Sequence, residues 1–200
     1  MSKSFVYDNK ELADFLSQEY FPKYFDYDAG GVLVPKTYYY QKMYSDSNAF
    51  TSWCCLDPVI LDPLLKQQFQ KVGLDTFDVT CRIIQFSFSQ SKIITRTVTS
   101  DDGKQNCGIV MNLSDTECSF QMYEPRNSNI REHRVTSILN GAHKNDLKMG
   151  DTILLNRNQL NVVDFKPYKE LTTKTVSTCM FFNFKMKTLQ EMKNLLLRSN

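Results

Sequence analysis

From Phe77 to Lys187 the chain is a succession of short segments rich in β-branched and aromatic residues, and no helical pattern interrupts them. "DVTCRIIQFSFS", "SKIITRTVTS", "NCGIVMNLS", "CSFQMYEP", "HRVTSIL", "DTILLNRN", "LNVVDF" and "TKTVSTCMFFNFKM" read as eight strands. The turn formers "SDDGKQ", "LSDTE", "PRNSN", "NGAHKND" and "FKPYKE" separate them. Strands at near-regular spacing without crossover helices restrict the chain to a sandwich, a jelly roll or a closed barrel.

Helical patterns bracket this region. In "DNKELADFLSQEYF", Asp8 or Asn9 is a suitable N-cap, and Leu12, Phe15, Leu16 and Tyr20 recur at helical spacing. Pro22 and the Gly30-Gly31 pair break that pattern, extended segments are expected around Val32–Val34 and Thr37–Tyr40, and "SDSNAF" reads as a loop. A second helix has Asp62 to cap it, Pro63 at its first position and Gly73 just past its end, with Leu64, Leu65, Phe69 and Val72 as the buried face. In "TLQEMKNLLLR", Thr188 and Glu191 match a capping box, and Leu189, Met192, Leu195 and Leu196 form one stripe. The layout predicts one α+β domain: helical and extended support over 1–76, a β core over 77–187 and a C-terminal helix over 188–200.

Charge adds exclusions. Twenty-four basic residues face 22 acidic ones, and no basic run reaches five, so the footprint expected of a nucleic-acid binder is missing. "PVILDPLL" and "CMFF" are too short to span a bilayer. The N-terminus lacks the apolar core of a secretory signal, and Ser2 follows the initiator Met, which excludes N-myristoylation. A soluble cytoplasmic protein is expected. The six cysteines (54, 55, 81, 107, 118 and 179) are irregularly spaced and contain no C-x-x-C, so free thiols are predicted. Only two histidines are present, which argues against a structural zinc site.

Four segments occur in a suggestive order: "MNLS" at 111–114, "MGDTILLN" at 149–156, "LNVVDF" at 160–165 and "TKTVSTCMFF" at 173–182. With the preceding helices, this order resembles the Fe(II)- and 2-oxoglutarate-dependent oxygenases, prolyl 4-hydroxylases among them, over roughly residues 55 to 186. The resemblance implies a double-stranded β-helix, that is, a jelly-roll core of about eight strands. It also implies where an iron site would sit. A His-x-Asp is expected near "IITRTV", where Thr95, Arg96 and Thr97 stand, and the distal histidine is expected where Asn161 stands. Such a site needs two imidazoles and a carboxylate. Hydroxyls bind Fe(II) poorly, the charge of Arg96 opposes a cation, and Asn161 offers only a neutral amide. Lys174 alone survives, at the position that would pair with a 2-oxoglutarate carboxylate.

The expectation is therefore a degenerate relative without the triad: a non-catalytic binding or assembly module, a pseudoenzyme with no metal or cofactor, acting through a protein partner or self-association. Two alternatives stay open. One is an active Fe(II)- and 2-oxoglutarate-dependent dioxygenase with atypical ligands, which requires His133 or His143 at the barrel mouth. The other is a jelly-roll structural protein of viral capsid type, associating through strand edges or the tyrosine-rich "TYYYQKMY" at 37–44.

Other chemistry is sparse. His133 and His143 lie in turn-like stretches and are expected to be exposed, and His143 with Asp146 is too widely spaced to converge on a strand. Cys107, beside a glycine and without an adjacent base, reads as a small buried hydrophobe. The carboxylates of "SDDG" at 100–103 and "NLSD" at 112–115 suit turns. Arg126, Arg131 and Arg134 form the densest positive segment, read as a solvated hairpin edge.

Overall fold

The structure is a computed structural model describing residues 3–46, 50–55, 60–77, 79–87, 92–97, 107–135, 139–184 and 187–198. Near the N-terminus are β1 (Ser4–Tyr7), β2 (Phe25–Tyr27), β3 (Leu33–Pro35), β4 (Gln41–Asp46) and β5 (Phe50–Cys55). There follow β6 (Val79–Phe86), β7 (Ile93–Thr97), β8 (Cys107–Asn112), β9 (Cys118–Pro125), β10 (His133–Arg134) and β11 (Leu139–His143). The last are β12 (Leu147–Leu155), β13 (Leu160–Asp164), β14 (Tyr168–Thr173) and β15 (Ser177–Phe184). One seven-stranded sheet runs β1-β13-β8-β15-β6-β5-β4, one six-stranded sheet runs β10-β11-β7-β14-β9-β12, and β2 and β3 form a separate hairpin.

Within these sheets, β6-β15-β8-β13 faces β7-β14-β9-β12, and the chain passes repeatedly from one four-stranded half to the other. This is the jelly-roll, or double-stranded β-helix, arrangement, so the chain has an α+β fold with a jelly-roll core. Its members differ by one from the strands read in the sequence. "HRVTSIL" contributes to β10 and β11, which extend the sheet beyond β7. The missing core strand is β14, which begins inside the expected turn "FKPYKE". Its sequence YKELTT is mostly polar on both faces and so carries no alternating signal.

The seven-stranded sheet is covered on both sides. Cys107, Ile109 and Met111 of β8 point to the helices, while Val110 of the same strand points to the six-stranded sheet. Alternation along each strand makes this division regular. The helical layer consists of α1 (Lys10–Asp14), a π-helical segment (Phe15–Tyr20) and α2 (Phe21–Tyr24) in succession, together with α3 (Pro63–Lys71) and α4 (Leu189–Arg198). Asn9 caps α1 by accepting from the Leu12 amide at 2.9 Å. Pro22 does not end this helix as expected. The Phe21 amide already bonds back to the Leu16 carbonyl, five residues earlier, and this wide turn accommodates a residue without an N–H.

α3 follows the sequence closely. Asp62 Oδ1 accepts from the Leu64 and Leu65 amides, Pro63 opens the helix, and Gly73 takes the left-handed conformation at φ 75°. Leu64 departs from expectation: it is 52% exposed, whereas Leu65 and Phe69 are fully buried. The capping box of α4 forms in both directions, with the Glu191 amide on Thr188 Oγ1 at 3.2 Å and the Thr188 amide on Glu191 Oε2 at 2.7 Å. β5 was not anticipated as a strand. The "SDSNAF" stretch instead contains the end of β4 and the start of β5, with residues 47–49 outside the described set. None of the six cysteines is in a disulfide, as expected, and all six are buried.

Candidate functional site between the two sheets

Residues paired across antiparallel strands share a face, so the register maps the wall of the sandwich directly. On the seven-stranded sheet one inward row reads Asn161, Val110, Phe181, Arg82 and Cys54. The flanking row on one side contains Cys179, Ile84 and Ser52, and the row on the other contains Gly108, Asn183 and Thr80.

The flank around β8 and β13 is filled. A Cβ added at Gly108 would lie 2.4 Å from Phe165 Cε2, so the Phe165 ring rests directly on that glycine. Phe120 and Phe181 meet edge-to-face at 6.0 Å, and Val110, Met122, Leu155 and Val163 close the remaining space. Lys169, inward-facing on β14, locks Phe165 in place. Its amine donates to the Phe165 carbonyl at 2.6 Å and the Pro167 carbonyl at 3.3 Å, and lies 5.1 Å from the Phe165 ring centre. Burial pulls its pKa down to about 7.

The flank around β6 and β5 is polar. Arg82 Nε donates to Ser52 Oγ at 2.6 Å, and Ser52 is fully buried. Burial lowers the Arg82 pKa, and no carboxylate among the described residues compensates. One residue pair along β15 stands Asn183, whose Oδ1 is buried without a hydrogen-bond partner. A guanidinium without a carboxylate partner among the described residues, near an orphan carbonyl, is an unusual combination inside a fold. Arg82 is only partly buried, so solvent reaches it.

The sequence-predicted positions do not gather. Thr95 faces inward on β7, paired with Lys169 of β14. Asn161 is buried on β13, its amide donating to the Gln159 carbonyl at 3.2 Å. The two lie on different sheets, β7 in the six-stranded one and β13 at the far side of the seven-stranded one from β6. Arg96 points to the opposite face, donating to Glu132 at 2.7 and 3.1 Å. The Thr97 side chain lies outside the described residues. Between the segment matched to the distal histidine and the basic-residue strand β15, the fold inserts β14, which the assumed alignment did not contain. Lys174 sits on the turn between β14 and β15, where it pairs with Glu117 at 3.1 Å and is 80% exposed.

Cys107 is buried as expected, and burial, reinforced by Asp164, pushes its thiol pKa up to about 12. The "SDDG" carboxylates lie outside the described residues, and Asp115 of "NLSD" pairs with Arg157. Arg126 donates to the Leu147 carbonyl at 2.9 Å, while Arg131 and Arg134 are exposed. Of the tyrosine-rich segment, Tyr40 is buried and Tyr38 is 85% exposed. His133 and His143 are exposed as expected, but they stand on strands β10 and β11 rather than in turns. Arg82 and Asn183 escaped the sequence reading. Their signal is a polar residue interrupting a strand that is apolar on both faces, as in "VTCRIIQF" and "STCMFFNF".

No protein-family model matches the chain, and no curated protein matches it in sequence. Among solved structures, vicilin from Solanum melongena aligns with a TM-score of 0.38 and 9% identity, over 71% of this chain and 30% of that one. Vicilin from Corylus avellana gives 0.38 and 10%, over 70% and 30%. A DMSP lyase chain gives 0.34 and 6%, over 72% and 55%. The chain thus spans under a third of the length of these vicilins. Among the described residues no helix is long and apolar enough to cross a membrane.

Proposed function

We propose that the chain is a non-catalytic binding module built on a jelly roll, and that its ligand is a small carboxylate- or phosphate-bearing molecule held by Arg82. The observation that carries this reading is the Arg82 guanidinium itself, partly withdrawn from water, donating to Ser52 and lacking a carboxylate partner among the described residues. A charge partly withdrawn from water and left without a counter-charge is destabilising. An anion entering between the sheets would offset that cost. A ligand that also carries a hydroxyl or amide donor would satisfy Asn183 Oδ1.

The test is a thermal-shift titration with inorganic phosphate, succinate and 2-oxoglutarate. A ligand specific for the folded state raises the melting temperature in proportion to the logarithm of its concentration. We expect at least one of the three to stabilise the wild type, and Arg82→Leu to abolish the shift. No shift with any of them, or the same shift in the variant, overturns the proposal. Succinate release from 2-oxoglutarate in the presence of Fe(II) would replace it with the oxygenase reading.

A further inference from the structure

The only two histidines of the sequence stand side by side on the edge of the six-stranded sheet. His133 pairs with Gly141 across β10 and β11, and His143 lies two residues further along β11, so alternation projects both rings from one face. The ring centres are 5.7 Å apart and the planes cross at 87°. Gly141 puts no side chain between them. Ile93 Cγ2 and Val135 Cγ2, which would lie 2.5 and 3.0 Å from a Cβ at that position, form an apolar floor instead. Both imidazoles are exposed.

We propose that His133 and His143 form a two-imidazole clamp for a divalent transition-metal ion of the Zn²⁺, Ni²⁺ or Cu²⁺ type. Imidazole nitrogen is the preferred ligand for these ions. With metal–nitrogen bonds of about 2.0–2.1 Å and tetrahedral angles, two bound imidazoles have ring centres about 5 Å apart. A small side-chain rotation therefore closes the observed separation onto an ion. Three of the nearby positive groups are turned away or already neutralised, and Lys169, which shares the row of Gly141 on β14, is held by the Phe165 and Pro167 carbonyls. Arg134 pairs with Asn140 and Asn140 with Arg96, a row that alternation assigns to the opposite face. Arg96 is bound to Glu132, and Lys144 to Glu170 at 2.7 Å. No third His, Cys, Asp or Glu joins the pair among the described residues, so water or an external ligand completes the coordination. The site is independent of Arg82 and lies on a different sheet.

The experiment titrates nickel chloride into the full, untagged chain by calorimetry and records melting curves with and without the ion. The buried thiols do not compete while the chain is folded. Saturable binding is expected, at one ion per chain, or at one per two chains if two edges share it. Removing either ligand converts a chelate into a single contact, so His133→Ala and His143→Ala should each weaken binding on the order of a hundredfold. They should also abolish the metal-induced rise in melting temperature while leaving the metal-free melt unchanged. Absence of saturable binding, or binding retained in the double variant, overturns the proposal.

Discussion

On the helix-facing side of the seven-stranded sheet, Cys81, Ile83, Ile109, Met111, Val162 and Phe182 are all buried, against Leu12, Leu16, Leu65, Phe69, Met192 and Leu196. On its other side the same strands interleave Val110, Val163 and Phe181 with Arg82, Asn112, Asn161 and Asn183. Even the polar atoms of the helix-facing side are matched: the Tyr20 and Tyr40 hydroxyls bond each other and both reach Cys81 Sγ, at 3.7 and 3.5 Å. Inside the sandwich, Asn112 is satisfied by the Thr116 and Leu155 carbonyls, yet Arg82 and Asn183 are not fully matched. One backbone thus serves two kinds of surface. The helix-facing side contributes stability, and the inner side gives part of it up where a ligand can compensate.

The largest effect should come from the helix-facing side. Phe182 is fully buried and contacts Phe69 edge-to-face at 4.9 Å and Tyr20 at 6.2 Å. Phe182→Ala should cost about 3–5 kcal/mol, measured by denaturant unfolding. A loss below about 1 kcal/mol would mean that the helical layer adds little to the fold, and the contrast between the faces would collapse. Gly108→Ala tests the filled flank of the inner side. The new methyl meets Phe165 and, at 2.5 Å, the Phe182 carbonyl, and the backbone contact cannot yield as a side chain can. A loss of about 1–3 kcal/mol is expected.

The sequence announced the helix-facing side far better than the inner one, and the reason is physical. Caps and stripes are local: Asn9, Asp62 with Pro63, and the Thr188–Glu191 box can all be read without knowing what the helices touch. The β class was legible as well, because short strands such as β8 and β15 follow one another at near-regular spacing without helices between them. β14 was not, since YKELTT gains its place only from pairing with β9 and β7. The inner site depends on register between strands distant in sequence. Arg82, Ser52 and Asn183 become neighbours only when β5, β6 and β15 align. The histidine pair was hidden similarly, because a strand pairing brings together residues that looked like separate turn positions.

Arg82→Leu should have a smaller and opposite effect. If the inner side sacrifices stability for recognition, replacing the uncompensated guanidinium with an apolar group should leave the ligand-free chain as stable as before, or more stable by about 1 kcal/mol. A loss of about 2 kcal/mol or more would assign Arg82 a structural role through Ser52 and remove the asymmetry between the faces.

A similarly small effect, but one that depends on pH, belongs to the outer side of the six-stranded sheet, which calibrates the other two. There Glu132 accepts from Arg96 Nε and Nη2, from Tyr168 and, at 2.8 Å, from Asn140. The Arg96 bonds, opposed by burial and helped by Tyr168 and Asn140, hold its carboxyl at a pKa of about 2. A depressed carboxylate pKa means stability that is fully present above the unfolded value, near about 4.3, and is lost as pH falls toward the folded value. Glu132→Gln should therefore cost about 1 kcal/mol at neutral pH, with the gap to wild type closing as pH falls from about 5 to about 2. Unfolding midpoints measured across that range decide the matter. A gap that stays constant would show that the glutamate acts through shape rather than charge, whereas Arg82, which has no carboxylate partner among the described residues, should show no such acid-dependent gap when replaced.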